Sequence, residues 1–175
     1  MNVINLRSLT LDDLPLTLKW HNQSEIVDWY SGHPFPVNYE MEKKWYENIL
    51  TSNIPLTVFG IEHATDQKLI GITVLKDINL INRVAEYAIY IGEKEYRGKG
   101  LSKVATLETL SFAFNKLGLN RIILKVLDNN KVAIKLYENV GFKKEGKLRE
   151  SIFKNNSFYN ELIFGILKIE FDGRI

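Results

Sequence analysis

The stretch that most constrains the fold is E-Y-R-G-K-G-L-S, residues 95 to 102. It follows V-A-E-Y-A-I-Y-I (84–91), an alternating run rich in β-branched and aromatic residues that reads as a strand. It precedes residues 101–117, where Leu107, Leu110, Phe114 and Leu117 recur at three- and four-residue spacing and predict a helix. Two glycines between a strand and a helix put unpaired N–H groups and a partial positive charge at the turn. Glycine lets that backbone approach an anion closely and adopt dihedrals other residues avoid. Arg97, Lys99 and Lys103 add side-chain charge. By itself the stretch fits either a basic turn or a phosphate cradle, with the cradle favoured. Two known phosphate loops are excluded. A P-loop needs four residues between its first glycine and Gly-Lys-Ser/Thr, and a dinucleotide fingerprint needs a third glycine where Lys103 stands.

The remaining elements follow from pattern. V-I-N-L-R-S-L is a first strand, and Thr10 caps a helix from Leu11 to about Trp20. Residues 22–38, with Pro34 and Pro36, form an irregular loop or short helix. Asn38 caps a second helix in which Met41, Trp45 and Ile49 share one face. Three strands come next, over 56–63, 68–78 and 84–91, then the helix of 101–117, stopped at Gly118. R-I-I-L-K-V-L is a strand, Asn129 or Asn130 caps a short helix closed near Gly141, and 142–149 with 157–168 make a final strand pair. The expectation is an α/β (α+β mixed sheet) fold in a single domain, residues 1–175.

Composition narrows the function classes. The chain has 175 residues, no cysteine and a net charge of +2. That excludes disulfides and a cysteinyl intermediate, and the small charge does not call for nucleic acid. Residues 1–60 carry four Lys/Arg against seven Asp/Glu, and the rest nineteen against fourteen. An acidic third and a basic remainder suit ligands of opposite charge. No apolar run spans a membrane, and the N-terminus lacks a signal-peptide layout, so a cytoplasmic protein with no membrane partner is expected. His21, His33 and His63 show no metal-ligand spacing, so no metal is expected.

A second motif lies one strand further on. Residues 130–142 read N-K-V-A-I-K-L-Y-E-N-V-G-F. Together with Arg97-Gly98-Lys99-Gly100-Leu101-Ser102, this resembles the GNAT superfamily of N-acetyltransferases. The first motif matches Q/R-x-x-G-x-G/A, with Ser102 where the family carries Gly or Ala. The second matches N-x-x-A-x-x-L-Y-x-x-x-G-F through Asn130, Ala133, Leu136, Tyr137, Gly141 and Phe142. The branch most similar contains ribosomal-protein and spermidine or diamine N-acetyltransferases.

The resemblance implies a mostly antiparallel sheet splayed between its fourth and fifth strands, with acetyl-CoA as cosubstrate. Its pyrophosphate would lie on the backbone N–H groups from Arg97 through Lys103. Its pantetheine arm would pair with the backbone of Ile89, Tyr90 and Ile91. Asn130 and Ala133 belong to the same cofactor motif. Tyr137 matches the tyrosine that protonates the departing thiolate, a role its ordinary pKa near 10 suits. Glu86 is read equally as the base and as a surface strand residue. Trp29, Tyr30 and His33 lie in the loop that shapes the acceptor pocket, where aromatic faces attract alkylammonium. Core packing fits these aromatics at least as well. Glu25, Asp28, Glu40 and Glu42 could attract a cationic amine, although for any one of them a solvated helix face is the favoured reading. Trp20 and Trp45 are assigned to the core. The expected acceptor is a polyamine, a diamine or a protein N-terminus. An amino sugar on a nucleotide carrier and a non-catalytic acyl-CoA sensor are the alternatives. The family's common homodimer is the expected assembly.

Overall fold

The computed structural model describes residues 3–29, 35–51 and 56–171. Tyr30 and His33 lie outside them. Strand β1 is Ile4–Arg7, followed by a 3-10 turn and helix α1, Leu14–His21. Two short helices, α2 (Ser24–Val27) and α3 (Tyr39–Thr51), precede an antiparallel run of β2 (Thr57–His63), β3 (Lys68–Asn79) and β4 (Val84–Ile91). Helix α4 is Leu101–Asn115, β5 is Arg121–Leu127, α5 is Lys131–Val140, and β6 (Lys143–Lys154) and β7 (Ser157–Leu167) form a closing hairpin. One seven-stranded sheet holds them in the order β1-β2-β3-β4-β5-β7-β6. Among the described residues no helix is long and apolar enough to cross a membrane.

Every neighbouring pair is antiparallel except β4 and β5, which are parallel and share three rungs, Val84↔Arg121, Ala85↔Ile122 and Glu86↔Ile123. Beyond Glu86 the two strands part, as the sequence motifs imply. The cause is visible on either side of the gap. β4 stays paired to β3 up to Ile91, and β5 stays paired to β7 up to Leu127, so each half-sheet keeps its own twist.

The two faces of the sheet are packed differently. Ala85 and Tyr87 of β4, Ile122, Leu124 and Val126 of β5, and Leu162, Phe164 and Ile166 of β7 form one core with Leu110, Ala113 and Phe114 of α4 and Tyr137 of α5. Because side chains alternate across a strand, Glu86, Ala88 and Tyr90, Lys125 and Leu127, and Glu161 and Ile163 lie on the opposite face. There α1 and α3 cover β2–β4 through a second cluster around Trp20, Ile26, Val58, Leu69 and Ile72. Trp20 is fully buried, with its indole against Gly92, where an added Cβ would meet the ring at 2.1 Å.

Helix α3 departs from the expected pattern. Met41 is 43% exposed, whereas Glu42 is 1% exposed. Trp45 and Ile49 remain half-buried against the Trp20 cluster. The helix is turned by polar contacts that periodicity does not count. Thr17 Oγ1 donates to Glu42 Oε1 at 2.5 Å, and His21 Nδ1 lies 2.7 Å from Glu42 Oε2. Glu42 is therefore a structural carboxylate rather than a solvated one.

Candidate active site

The glycine-rich loop is fixed from behind. Arg97 Nε donates to Ile91 O at 2.9 Å, Nη2 to Gly92 O at 2.8 Å, and Nη1 to Glu25 Oε2 at 2.9 Å. The guanidinium thus closes the turn on itself, with Nε, Nη1 and Nη2 all donating within the protein. The backbone is also more selective than the motif suggests. Arg97 N donates to Lys94 O and Lys103 N to Gly100 O, which occupies both ends of the expected cradle. Among the described residues the N–H groups of Gly98, Lys99, Gly100, Leu101 and Ser102 donate to no other backbone group. Gly98 and Gly100 have φ of +74° and +78°, and nothing stands within 4 Å of a Cβ placed on either. This is an open concavity of five free donors at the N-terminus of a 15-residue helix, which fits a pyrophosphate. Lys99 is exposed, with Nζ 5.4 Å from the centroid of the Tyr96 ring. Lys103 is exposed as well. Ser102 O accepts from Thr106 Oγ1 within the helix.

The open edge of β4 can be read from its register. Gly92 N donates to Ile70 O at 2.8 Å, and the ladder continues as Gly71↔Ile91 and Ile72↔Tyr90. Bonded pairs alternate in an antiparallel ladder. The backbone groups of Tyr90 and Ala88 therefore point into β3, and those of Ile89 and Ile91 point into the gap. Ile91 O is already held by Arg97. Ile89 N–H, Ile89 C=O and Ile91 N–H remain for an extended, amide-bearing ligand. Tyr90 drops out of the expected backbone set. Its side chain lies on the other face, with Oη 3.2 Å from His21 Nε2.

Tyr137 rises from α5 on the face opposite Tyr90. Asn130 Oδ1 accepts from Ala133 N at 3.1 Å and caps the helix, so Asn130 positions α5, and Ala133 packs half-buried on the core. Tyr137 stands edge-on to Phe142, with ring centroids 5.8 Å apart. Burial pushes its phenol up to about 12, and among the described residues its hydroxyl has no hydrogen-bond partner. It is a protonated donor with nothing to donate to among the described residues. Neighbouring Tyr87 is also raised by burial but donates to Thr106 Oγ1 at 2.9 Å.

On the opposite face Glu86 sits at the last shared rung, 2.8 Å from Lys76 Nζ. Glu25 is not a free carboxylate. It bridges Lys94 and Arg97, and these hold its carboxyl below the usual range. Trp29 is half-exposed beyond α2. Lys154 Nζ, at the tip of the β6–β7 hairpin, donates to Val27 O at the end of α2. The tip of this hairpin therefore meets the end of the helix that leads into the loop read as shaping the acceptor pocket. Sequence reasoning missed Arg97 as a clasp and Glu161 as a buried carboxylate on this face. A glutamate inside an otherwise apolar strand run, E-L-I-F-G-I-L, was the available signal.

Comparison with known proteins agrees with this geometry. Residues 4–143 match the family model for the acetyltransferase (GNAT) domain. The spermidine N(1)-acetyltransferase of Vibrio cholerae serotype O1 is 31% identical over 171 residues, 98% of this chain and 96% of that protein. The putative ribosomal N-acetyltransferase YdaF of Bacillus subtilis is 32% identical over 108 residues, 62% of this chain and 58% of that one. The crystal structure of spermidine N-acetyltransferase from Vibrio cholerae in complex with CoA and spermine superposes with a TM-score of 0.90 at 30% identity, covering 96% of this chain and 97% of that one. With the splayed parallel pair, the glycine cradle and this similarity along its length, the chain belongs to the GNAT family and is an N-acetyltransferase.

Proposed function

We propose that the protein transfers the acetyl group of acetyl-CoA to a primary amine of a polyamine or diamine. The observation that carries this reading is Tyr137, a buried tyrosine held protonated, whose hydroxyl has no hydrogen-bond partner among the described residues and which packs on the core of the two strands that part, β4 and β5. The residues on both sides of it fit the two substrates. The free N–H groups of 98–102 take the pyrophosphate, and the backbone of Ile89 and Ile91 takes the pantetheine amides as an added strand would. The amine approaches from the face of Glu86, Tyr90 and Leu127.

A free alkylamine has a pKa near 10.4 and must lose a proton before it attacks. Glu86, on the amine face one rung before the strands part, takes that proton directly or through water. The amine nitrogen then bonds to the acetyl carbon, and the carbon–sulfur bond breaks. Tyr137 gives its proton to the departing sulfur, and the second proton, shed by the new amide nitrogen, returns to Tyr137 through solvent. Its raised pKa keeps that proton in place at neutral pH. The polyamine acceptor is supported by the spermidine acetyltransferase of Vibrio cholerae, which resembles this chain from end to end. An acceptor screen with acetyl-CoA over polyamines, peptides with free N-termini and amino sugars, read by thiol release, tests this. Turnover confined to peptides or amino sugars moves the acceptor to another class. CoA binding without turnover on any amine leaves a sensor.

A further inference from the structure

Four carboxylates are buried among the described residues: Asp13, Glu42, Glu93 and Glu161. Three have a basic partner. Asp13 meets Arg7, Glu42 meets His21, and Glu93 meets Lys19 and Lys68. Glu161, 6% exposed, has none among the described residues. Its one polar contact there is Ser151 Oγ, which donates to Oε2 at 3.1 Å. Removing a carboxylate from water without a counter-charge is costly, so a cation that joins it from outside the protein is strongly favoured.

Three further observations say where that cation comes from. Glu161 pairs with Leu127 across β5 and β7, on the face opposite Tyr137 and at the end of β5 that borders the gap. β7 lies one strand past β5, about 5 Å on, within reach of a short methylene spacer from an amine at the gap. The hairpin is also deformed at this point. The β6–β7 register jumps between Leu148 and Ile152, and Glu150 takes a φ of +49°. Asn160 fastens the bulge, accepting from Glu150 N at 3.0 Å and donating to Asp128 Oδ2 at 2.7 Å. The bulge directs Ser151 at Glu161, as bulges beside active sites re-aim side chains.

We infer that Glu161, oriented by Ser151, is the subsite for a protonated ammonium of the acceptor other than the amine that reacts. The inference rests on the amine-acetylation reading above and assigns specificity for a second positive charge to this one carboxylate. Ser151 occupies one oxygen, which leaves the other for the ammonium.

The test compares kcat/KM for spermidine and for butylamine, at saturating acetyl-CoA, in the wild type, Glu161→Gln and Ser151→Ala. A charge-assisted hydrogen bond accounts for about tenfold or more in affinity. The spermidine-to-butylamine ratio should fall by about that factor in Glu161→Gln, through KM, and by less in Ser151→Ala. The Tm of unliganded Glu161→Gln should equal or exceed the wild type, because an uncompensated charge has been removed. An unchanged ratio overturns the assignment, as does a loss shared equally by both amines. If the wild type acetylates neither amine, the polyamine reading fails by itself. Calorimetry of spermidine on the CoA-bound protein then decides Glu161 separately: weaker binding in Glu161→Gln supports the subsite, and equal or absent binding in the wild type overturns it.

Discussion

The donor side and the acceptor side of this protein are built on different principles. The donor side is local and made of backbone. On the reading proposed above, five consecutive N–H groups and two residues of β4, all between 89 and 102, supply its contacts. The acceptor side is assembled from distant segments and made of side chains. Lys154 and Val27, which close it, are 127 residues apart. The residues proposed to line it, Glu86, Tyr90 and Glu161, come from two half-sheets that diverge beneath it. A ligand common to a whole family can be held by groups every residue possesses. A ligand that distinguishes one member must be read by side chains, and these come from wherever the fold brings them.

The comparison can be broken by substitution. The largest effect is expected at the boundary between the two sides. Tyr137→Phe should lower kcat by about 10²–10⁴-fold, the range for a lost general acid, with little change in KM for acetyl-CoA, as steady-state thiol release will show. Glu86→Gln should also lower kcat, by roughly 10²-fold, and the loss should shrink as pH rises and free amine accumulates. A flat pH profile would remove Glu86 as the base. Next come the cradle glycines. At φ of +78° a β-branched residue is strained by about 1–2 kcal/mol, so Gly100→Val should raise KM for acetyl-CoA roughly tenfold. Neutralising Lys99 and Lys103 together should change the same KM by only a few-fold. The opposite ranking would mean that side-chain charge, not backbone, holds the donor.

The smallest effect is on stability at high pH. Tyrosine in the unfolded chain titrates near 10, and burial raises both Tyr137 and Tyr87 above that. The unfolded state therefore loses these protons first, and unfolding free energy should fall as pH rises from about 10 through 12. Denaturant titrations over that range should show the slope, and it should be reduced in Tyr137→Phe.

Most of the fold was legible because hydrophobic period and glycine position are local signals. The strand before Glu93, the glycine turn and the Asn130 cap each depend on residues a few positions apart. What was not legible depends on partners far along the chain. Met41 carries the right spacing for a core face, but Glu42 is drawn inward by Thr17 and His21 of another helix. Arg97 reads as a phosphate ligand because its neighbours are basic, yet its donors are taken by two carbonyls and by Glu25. Glu161 sits in an apolar strand, and its partner Ser151 comes from the bulged strand opposite, ten residues away. Tyr90 illustrates the limit of motif transfer. Its place in the strand was right, and strand parity then sent its backbone to β3 and its side chain to the amine face.

The clasp made by Arg97 gives the two sides a shared hinge point. One planar group grips the end of the strand that presents the pantetheine edge, the turn that opens into the cradle, and a glutamate of the helix that leads into the acceptor loop. Donor and acceptor elements are consequently not interchangeable modules. A loop grafted in place of residues 22–38 without Glu25 would release one arm of that grip and change how the coenzyme is held, even though no grafted residue touched it.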